Sequence, residues 1–335
     1  MSDLIEKHLR PGRKITDQFV IASALSFVLT FLGSILVPVR RLFGGFIENI
    51  LGGDHDAAVF LLNYLGFIGI WVILFLVVIL FRSNRPMLQA VRYESPRRQE
   101  GTEDAAGRVR NRAGNNFRGL LIGLALGFGC NGFCVLMSVL MGDIHLSYSG
   151  LEFLPFILFF VSVFIQSAAE ELMNRWYLYQ KLRRRYKAPW IAIFINSLVF
   201  MLMHAFNTGI TVLSFIQIFT VGFVFSLLVY YYNGLWIAAA FHAGWNFTQS
   251  VFFGLPNSGI VSAYSVFRLD AALATNGLFY NVNFGVEGSA GAVVVLILVS
   301  VAIFLINRRK AEHTDVWEET DRTAIEKATA KAAGQ

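Results

Sequence analysis

Long apolar stretches alternate with short polar connections along this chain. The pattern has neither the two-residue period of half-buried strands nor the narrow apolar stripe of a helix on a soluble core. Eight runs, at 19–39, 57–81, 119–141, 154–179, 189–206, 210–232, 235–253 and 290–306, are long enough, or nearly so, to cross about 30 Å of hydrocarbon as helices. They predict an all-α fold: a polytopic membrane helical bundle of about eight transmembrane helices. No internal repeat and no second soluble region interrupts the series, so residues 1–335 read as one integral membrane domain.

Composition strengthens this picture. Hydrophobic residues make up 56% of the chain and charged residues 15%, with 32 phenylalanines and a mean hydropathy of +0.57. Soluble domains run at about 45–50% apolar and about 25% charged. The net charge of +6 could point to nucleic acid in a soluble protein. Here the bilayer is the partner and no nucleic acid is expected, because the basic residues sit between the apolar runs. Connection 82–118 holds nine arginines, 181–187 holds five basic residues, and the tail, 307–335, opens on Arg308, Arg309 and Lys310. Connections 142–152 and 254–288 share one arginine, Arg268. The positive-inside rule then places both termini, the basic loop 82–118 and the tail on the cytoplasmic side of a multi-pass protein of the cell membrane. Arg40 and Arg41, just after the first run, oppose this orientation. No small-residue cleavage site follows a short apolar core near the start, so no cleaved signal peptide is expected. Cys130 and Cys134, one turn apart in an apolar run without His or Asp beside them, read as buried packing thiols. Tyr230, Tyr231, Tyr232 and Trp236 read as an interfacial aromatic belt.

Candidate chemistry concentrates in 167–182, SAAEELMNRWYLYQKL. Glu170, Glu171 and Arg175 lie in a run that should span the membrane, where each such group costs roughly 2.5–3.5 kcal/mol on insertion scales. Glu171 and Arg175, spaced i,i+4, can pair on one face. Glu170 has no such cation and is the first candidate for a functional group. Two histidines lie in other apolar runs: His204, four residues after Phe200, and His242, four before Asn246. If the fourth and fifth runs form a hairpin turning near Lys187, Glu170 lies 17 residues before that turn and His204 lies 17 after it. At 1.5 Å per residue both stand roughly 25 Å from it. His242, eight residues after Asn233-Gly234, lies roughly 12 Å from its own turn. The levels match if the basic end of the hairpin projects about 13 Å, which puts the three groups in the cytosolic half of the membrane.

Glu170-Glu171-xxx-Arg175, Phe200-xxx-His204 and His242-xxx-Asn246, in this order on separate helices, resemble the three motifs of the CPBP family. That family includes CAAX prenyl protease 2 type endopeptidases and bacteriocin-processing and abortive-infection proteins. The similar region is 119–253. The resemblance implies an intramembrane endopeptidase that cuts a membrane-bound protein or peptide, lipidated or not. Catalytic residues carried over on the motifs are Glu170, Glu171, Arg175, His204, His242 and Asn246.

Two mechanisms use these residues differently. In one, Glu170, its carboxyl raised by burial and a like-charged neighbour, takes a proton from water. His204 then orients that water, and His242 with the Asn246 amide donates to the oxyanion. In the other, His204, His242 and Glu170 bind Zn2+ with an open position for water, although no HExxH is present. Plainer roles stand beside both: Glu171–Arg175 as a structural pair, Phe200 as packing, Asn246 as a bridge between helices. A non-catalytic scaffold, immunity or transport protein retaining the fold is the reading from another class. Serine and aspartyl intramembrane proteolysis lack their GxSG and GxGD sequences on any run. The arginine distribution is tested by cysteine labelling in intact cells. Cysteines placed in 82–118 or the tail should resist an impermeant thiol reagent while those in 254–288 react, and the reverse pattern would overturn the orientation.

Overall fold

The structure is a computed structural model that describes residues 9–10, 14–94, 115–308 and 316–317. Most of the arginine-rich loop and of the tail, including Arg309 and Lys310, lies outside the described residues. Every apolar run becomes helical. The helices are α1 (Phe19–Leu36), α2 (Val39–Ile50), α3 (His55–Leu65), α4 (Ile68–Leu80), α5 (Phe117–Leu140), α6 (Phe153–Glu171), α7 (Tyr179–Arg185), α8 (Pro189–Met203), α9 (Val212–Tyr232), α10 (Leu235–Phe247) and α11 (Ala290–Asn307). The fold is an all-α polytopic bundle. Among the described residues six spans, rather than about eight, are long and apolar enough to cross a membrane: Phe19–Leu36, His55–Leu80, Phe117–Leu140, Phe153–Arg185, Val212–Tyr232 and Ala290–Asn307.

The two runs outside that set are α8, with 15 residues, and α10, whose 13 α-helical residues continue into a π-helical turn. Apolar length is read as span length because lipid demands it, but α10 is buried along nearly its whole length inside the bundle. Its neighbours, not lipid, satisfy it. The second run kinks at Gly66–Phe67, where i→i+3 bonds such as Gly69 N–H to the Gly66 carbonyl link α3 to α4. Two other runs continue through π-helical turns. Leu172–Leu178 joins α6 to α7, and Thr248–Phe252 extends α10.

Helix ends follow local chemistry. Asp54 caps α3 by accepting from Ala57 N–H, and Asn116 caps α5 through Gly119 N–H. Thr211 and Ser214 form a reciprocal capping box on α9. At the other end of α9, Asn233 takes a left-handed conformation (φ 52°) and Gly234 starts the turn into α10. Arg40 and Arg41 lie on α2, an amphipathic helix packed on α3 that apolar-run counting passes over. Both side chains are exposed on its outer face.

Relative sidedness is clear. The two arginine-poor connections meet in an antiparallel pair, β1 (Leu146–Tyr148) with β2 (Phe267–Leu269), in the register Ser147 to Arg268, so they share a face. On the other face the basic cluster is covered by protein rather than solvated. Lys181, Arg183 and Arg184 are buried, because the 3-10 turn Ile15–Asp17 packs beneath them. The Asp17 carboxylate accepts from Arg184 Nε and Nη2 at 2.5 Å each and lies 3.1 Å from Lys181 Nζ. Burial alone would raise the Asp17 carboxyl, but the Arg184 hydrogen bonds and the neighbouring charges outweigh it and hold it below its ordinary value. Arg184 also stacks on Trp317, 4.8 Å from the ring centroid. Cys134 is buried, as expected, whereas Cys130 is only half-buried; both are free thiols.

The seam between α5 and α10 sets the position of His242. Gly123 and Gly127, one turn apart, let the backbones nearly touch: a Cβ on Gly127 would lie 2.2 Å from the Phe241 carbonyl oxygen and one on Gly123 2.3 Å from that of Ile237. Small residues at this spacing are how membrane helices approach closely. Gly127→Ala should therefore destabilise the protein by about 1–3 kcal/mol through overpacking. Gly129→Ala, with nothing within 4 Å of its added Cβ, should leave thermal unfolding in detergent unchanged. Equal melting temperatures for the two variants would refute the seam.

Candidate active site

Glu170 and Glu171 sit in the last turn of α6, immediately before the π-helical turn. In this turn the Asn174 carbonyl accepts the i→i+5 bond from Tyr179 N–H and also accepts from the Asn196 amide of α8. Ser226 of α9 donates to Asn196 Oδ1 at 3.0 Å, so three helices are tied at the π turn. Such turns recur at functional sites.

The two adjacent glutamates have opposite surroundings. Glu171 is fully buried, and its Oε1 accepts from both Arg175 Nη1 and His242 Nδ1, each at 3.0 Å. Arg175, equally buried, donates through Nη2 to the Gly222 carbonyl at 2.9 Å. Its guanidinium lies 4.4 Å from the Phe200 ring centroid and 5.2 Å from that of Phe225, within cation–π range. Gly222 is what admits it, since a Cβ there would come 3.1 Å from Nη2. Phe200 thus packs against the guanidinium rather than against lipid.

Glu170 borders a cavity of about 190 Å³. Its Oε1 accepts from Gln166 Nε2 at 2.5 Å, whereas buried Oε2 has no hydrogen-bond partner among the described residues. Both histidines turn Nε2 toward that same oxygen, His204 at 3.9 Å and His242 at 3.8 Å. Their other ring nitrogens are committed, His204 Nδ1 to the Phe200 carbonyl at 2.8 Å and His242 Nδ1 to Glu171. These acceptors assign the proton to Nδ1 in the neutral rings and leave the Nε2 lone pairs facing Glu170. His204 caps the C-terminus of the short helix α8, which ends inside the bundle. The Glu170 and His depths deduced from the helical rise therefore coincide in space.

Asn246 also lines the cavity. Its Nδ2 contacts Ser167 Oγ at 3.2 Å and Gln166 Oε1 at 3.4 Å, and its Oδ1 accepts from Asn257 Nδ2 at 3.2 Å. All six motif residues thus meet at one place. Two imidazoles and a carboxylate are chemistry that zinc accepts, yet tetrahedral bonds of about 2.0–2.1 Å require donor atoms about 3.3–3.4 Å apart. The observed separations exceed that. Among the described residues no group of three or more His, Cys, Asp or Glu is arranged to hold a metal ion. As placed, these residues do not fit zinc.

The cavity has walls that motif reasoning did not supply. Tyr64, Asn63 and Phe67 come from the kinked second run, and Asn257, Ser258 and Ile260 come from connection 254–288. Gln166 carried a readable signal, being a polar residue four before Glu170 in an apolar run. Asn257, Ser258 and Glu287 carried none, because their connection reads as an ordinary loop outside the membrane.

Residues 152–248 match the family described as Type II CAAX prenyl endopeptidase Rce1-like. Over this segment the chain is similar to the CPBP-family intramembrane proteases. The matched segment begins just before α6 and contains all six motif residues, while α1–α5, connection 254–288 and α11 lie outside it. At family level the activity is that of a CAAX-type endopeptidase. No curated protein and no solved structure matches the chain.

The buried pair makes a separable prediction. Arg175→Leu strands the Glu171 carboxylate in the bundle and should destabilise it by about 3–5 kcal/mol. Adding Glu171→Leu removes the stranded charge and should restore much of the melting temperature in detergent. His242 then has no acceptor for Nδ1, so proteolysis should stay lost. Recovery of both stability and cleavage in the double variant would refute an orienting role for Glu171.

Proposed function

We propose that this protein hydrolyses a peptide bond of a membrane-associated or lipidated protein, using water activated by Glu170. One observation carries the reading: two Nε2 lone pairs and the unpartnered Oε2 of Glu170 converge at 3.8–3.9 Å. That separation is too long for a direct hydrogen bond, and a water beside the three atoms can reach more than one of them.

In this scheme His204 Nε2 accepts one hydrogen of the water and Glu170 Oε2 accepts the other, aiming the oxygen into the cavity. Glu170 takes the proton as the water oxygen bonds to the scissile carbonyl carbon. The resulting oxyanion is met by the Asn246 amide, which gives up its long contact to Gln166, and by His242 when Nε2 is protonated. The C–N bond then breaks, and the proton held by Glu170 passes to the departing amine nitrogen. Glu171 is a positioning group here: its charge is balanced by Arg175, and it fixes the His242 ring. Because the cavity lies inside the bundle between spans, the substrate is a segment held at or in the bilayer. Both termini and the basic connections face the cytoplasm in this reading.

The decisive variant is Glu170→Gln, which keeps size and hydrogen bonding but removes the base. Cleavage of native membrane proteins, read as neo-termini by proteomics of membranes carrying wild type or variant, should disappear while the protein still folds and inserts. In the same preparations purified wild type should hold no stoichiometric zinc, and chelators should inhibit weakly. His242→Asn should retain measurable turnover, reduced about 10²–10³-fold. Neo-termini that survive Glu170→Gln would favour the scaffold or transport reading. One zinc per chain, lost with all activity in His242→Asn, would replace the water-activation scheme by a metal-dependent one.

A further inference from the structure

Connection 254–288 re-enters the bundle and ends on a buried carboxylate, Glu287, that belongs to none of the motifs and lies outside the family match. Glu287 is 7% exposed and Asn257 4%. Its Oε1 accepts from Asn257 Nδ2 at 3.1 Å, and its Oε2 accepts from Ser258 N–H at 2.7 Å and from Ser258 Oγ at 2.9 Å. The turn it grips is tight: Asn257 and Ile260 exchange backbone bonds of 2.8 and 2.9 Å. Its two central residues both have positive φ, Ser258 at 49° and Gly259 at 84°. Left-handed backbone is uncommon for serine, and strain of this kind persists only where surroundings over-determine it. Two of the three hydrogen bonds to Glu287 come from that one serine.

The turn faces the reaction centre. Asn257, Ser258 and Ile260 line the Glu170 cavity, and Glu287 with Ser258 borders the adjoining space beside His204 and His242. Asn257 Nδ2 is shared between Glu287 and Asn246 Oδ1. An amide whose oxygen is held by Asn257 must present its NH2 to the opposite side, where Ser167 and Gln166 lie.

We propose that Glu287 is a positioning residue of the active centre: it latches the Asn257–Ile260 turn over the cavity and, through Asn257, fixes the Asn246 amide in the orientation that offers its hydrogens to the reacting carbonyl. The proposal rests on the hydrolytic reading above, but the latch can be tested without it. Glutamine at 287 has one acceptor oxygen in place of two, and its NH2 would face the Ser258 N–H.

The experiment pairs hydrogen exchange with cleavage, using full-length protein in detergent and a membrane-anchored fluorogenic peptide. Glu287→Gln should raise amide exchange across 254–262 at least about tenfold and leave α5 and α9 protected. It should lower kcat by roughly 10–100-fold, the cost of a misplaced catalytic group. Asn257→Ala, which breaks the link while keeping the carboxylate, should lower kcat similarly with a smaller change in exchange. The effects should not add: Glu287→Gln in an Asn246→Ala background should change kcat less than about twofold. Unchanged exchange at 254–262 overturns the latch. Raised exchange with unaltered kcat, or with an effect that adds fully to Asn246→Ala, overturns the positioning role. A wild type that cleaves no peptide overturns the hydrolytic reading and the positioning role with it, while exchange still shows whether the latch exists.

Discussion

A single carboxylate oxygen, Glu171 Oε1, receives both the Arg175 guanidinium and the His242 ring, and much of the bundle is shaped by the need to bury that group. Removing two charges from water costs several kcal/mol per ion, and only good geometry with further hydrogen bonds offsets it. The geometry here is supplied from three directions. Gly222 leaves room for the guanidinium and gives it a carbonyl, Phe200 and Phe225 flank it, and the π turn carries Arg175 itself. A pair so costly to bury is a poor source of stability. Its use is to hold an imidazole in one tautomer and one orientation, the service a buried carboxylate performs for a working histidine.

The second constraint is that polar backbone and side chains at membrane depth need partners within the protein. Helix α8 is short, so its C-terminal His204 falls inside the bundle, and His242 lies within the buried length of α10. The π turn Leu172–Leu178 presents the Asn174 carbonyl to a second donor, the Asn196 amide, at the same depth. Connection 254–288 answers both needs by re-entering. Leu255, Val266, Tyr280 and Phe284 of this connection are buried, Gln249 of the second π turn donates to the Pro256 carbonyl at 2.5 Å, and Glu287 closes the network. Irregular backbone is tolerated at this depth because it borders a cavity and is surrounded by helices. The site is therefore made by two parts of the chain with different histories in the sequence, a motif-bearing helical core and a connection folded into it.

That division explains what could be read in advance. Apolar runs register the lipid-facing requirement directly, so all eight helical regions were legible. So were the six motif residues, because a charge or histidine in such a run is conspicuous, and the helical rise alone brought Glu170 level with His204. The number of full spans was not legible, since a helix sheathed by protein and one sheathed by lipid have the same composition. Glu287, Asn257 and Ser258 were invisible because a polar residue in a polar connection signals nothing until the connection is seen to fold inward. The Asp17 clamp on Lys181 and Arg184 was hidden for a related reason: basic clusters are ordinarily solvated, and only tertiary contact between the N-terminal turn and α7 buries this one. Arg40 and Arg41 opposed the charge rule because the rule counts loops, and they lie on the outer face of an amphipathic helix.

Adjacent glutamates on one helix would be expected to compete for the same role, and their surroundings assign different ones. Glu171 has a cation and an imidazole on a single oxygen and is sealed from solvent, so its charge is already neutralised within the protein and it has no route to a water proton. Glu170 is one-fifth exposed to the cavity at its side chain, is restrained by one neutral amide, and keeps Oε2 unpartnered opposite two imidazole nitrogens. Two carboxyls in such different environments are suited to different roles, acid–base work for one and orientation for the other. The helical geometry produces this split automatically, because successive side chains on a helix point about 100° apart. One faces α9 and the buried guanidinium, while the other faces the gap that α8, α10 and the re-entrant turn enclose. In the proposed mechanism the doubled glutamate supplies one residue for the reaction and one for the histidine that attends it, and neither can stand in for the other without moving to a different face of the helix.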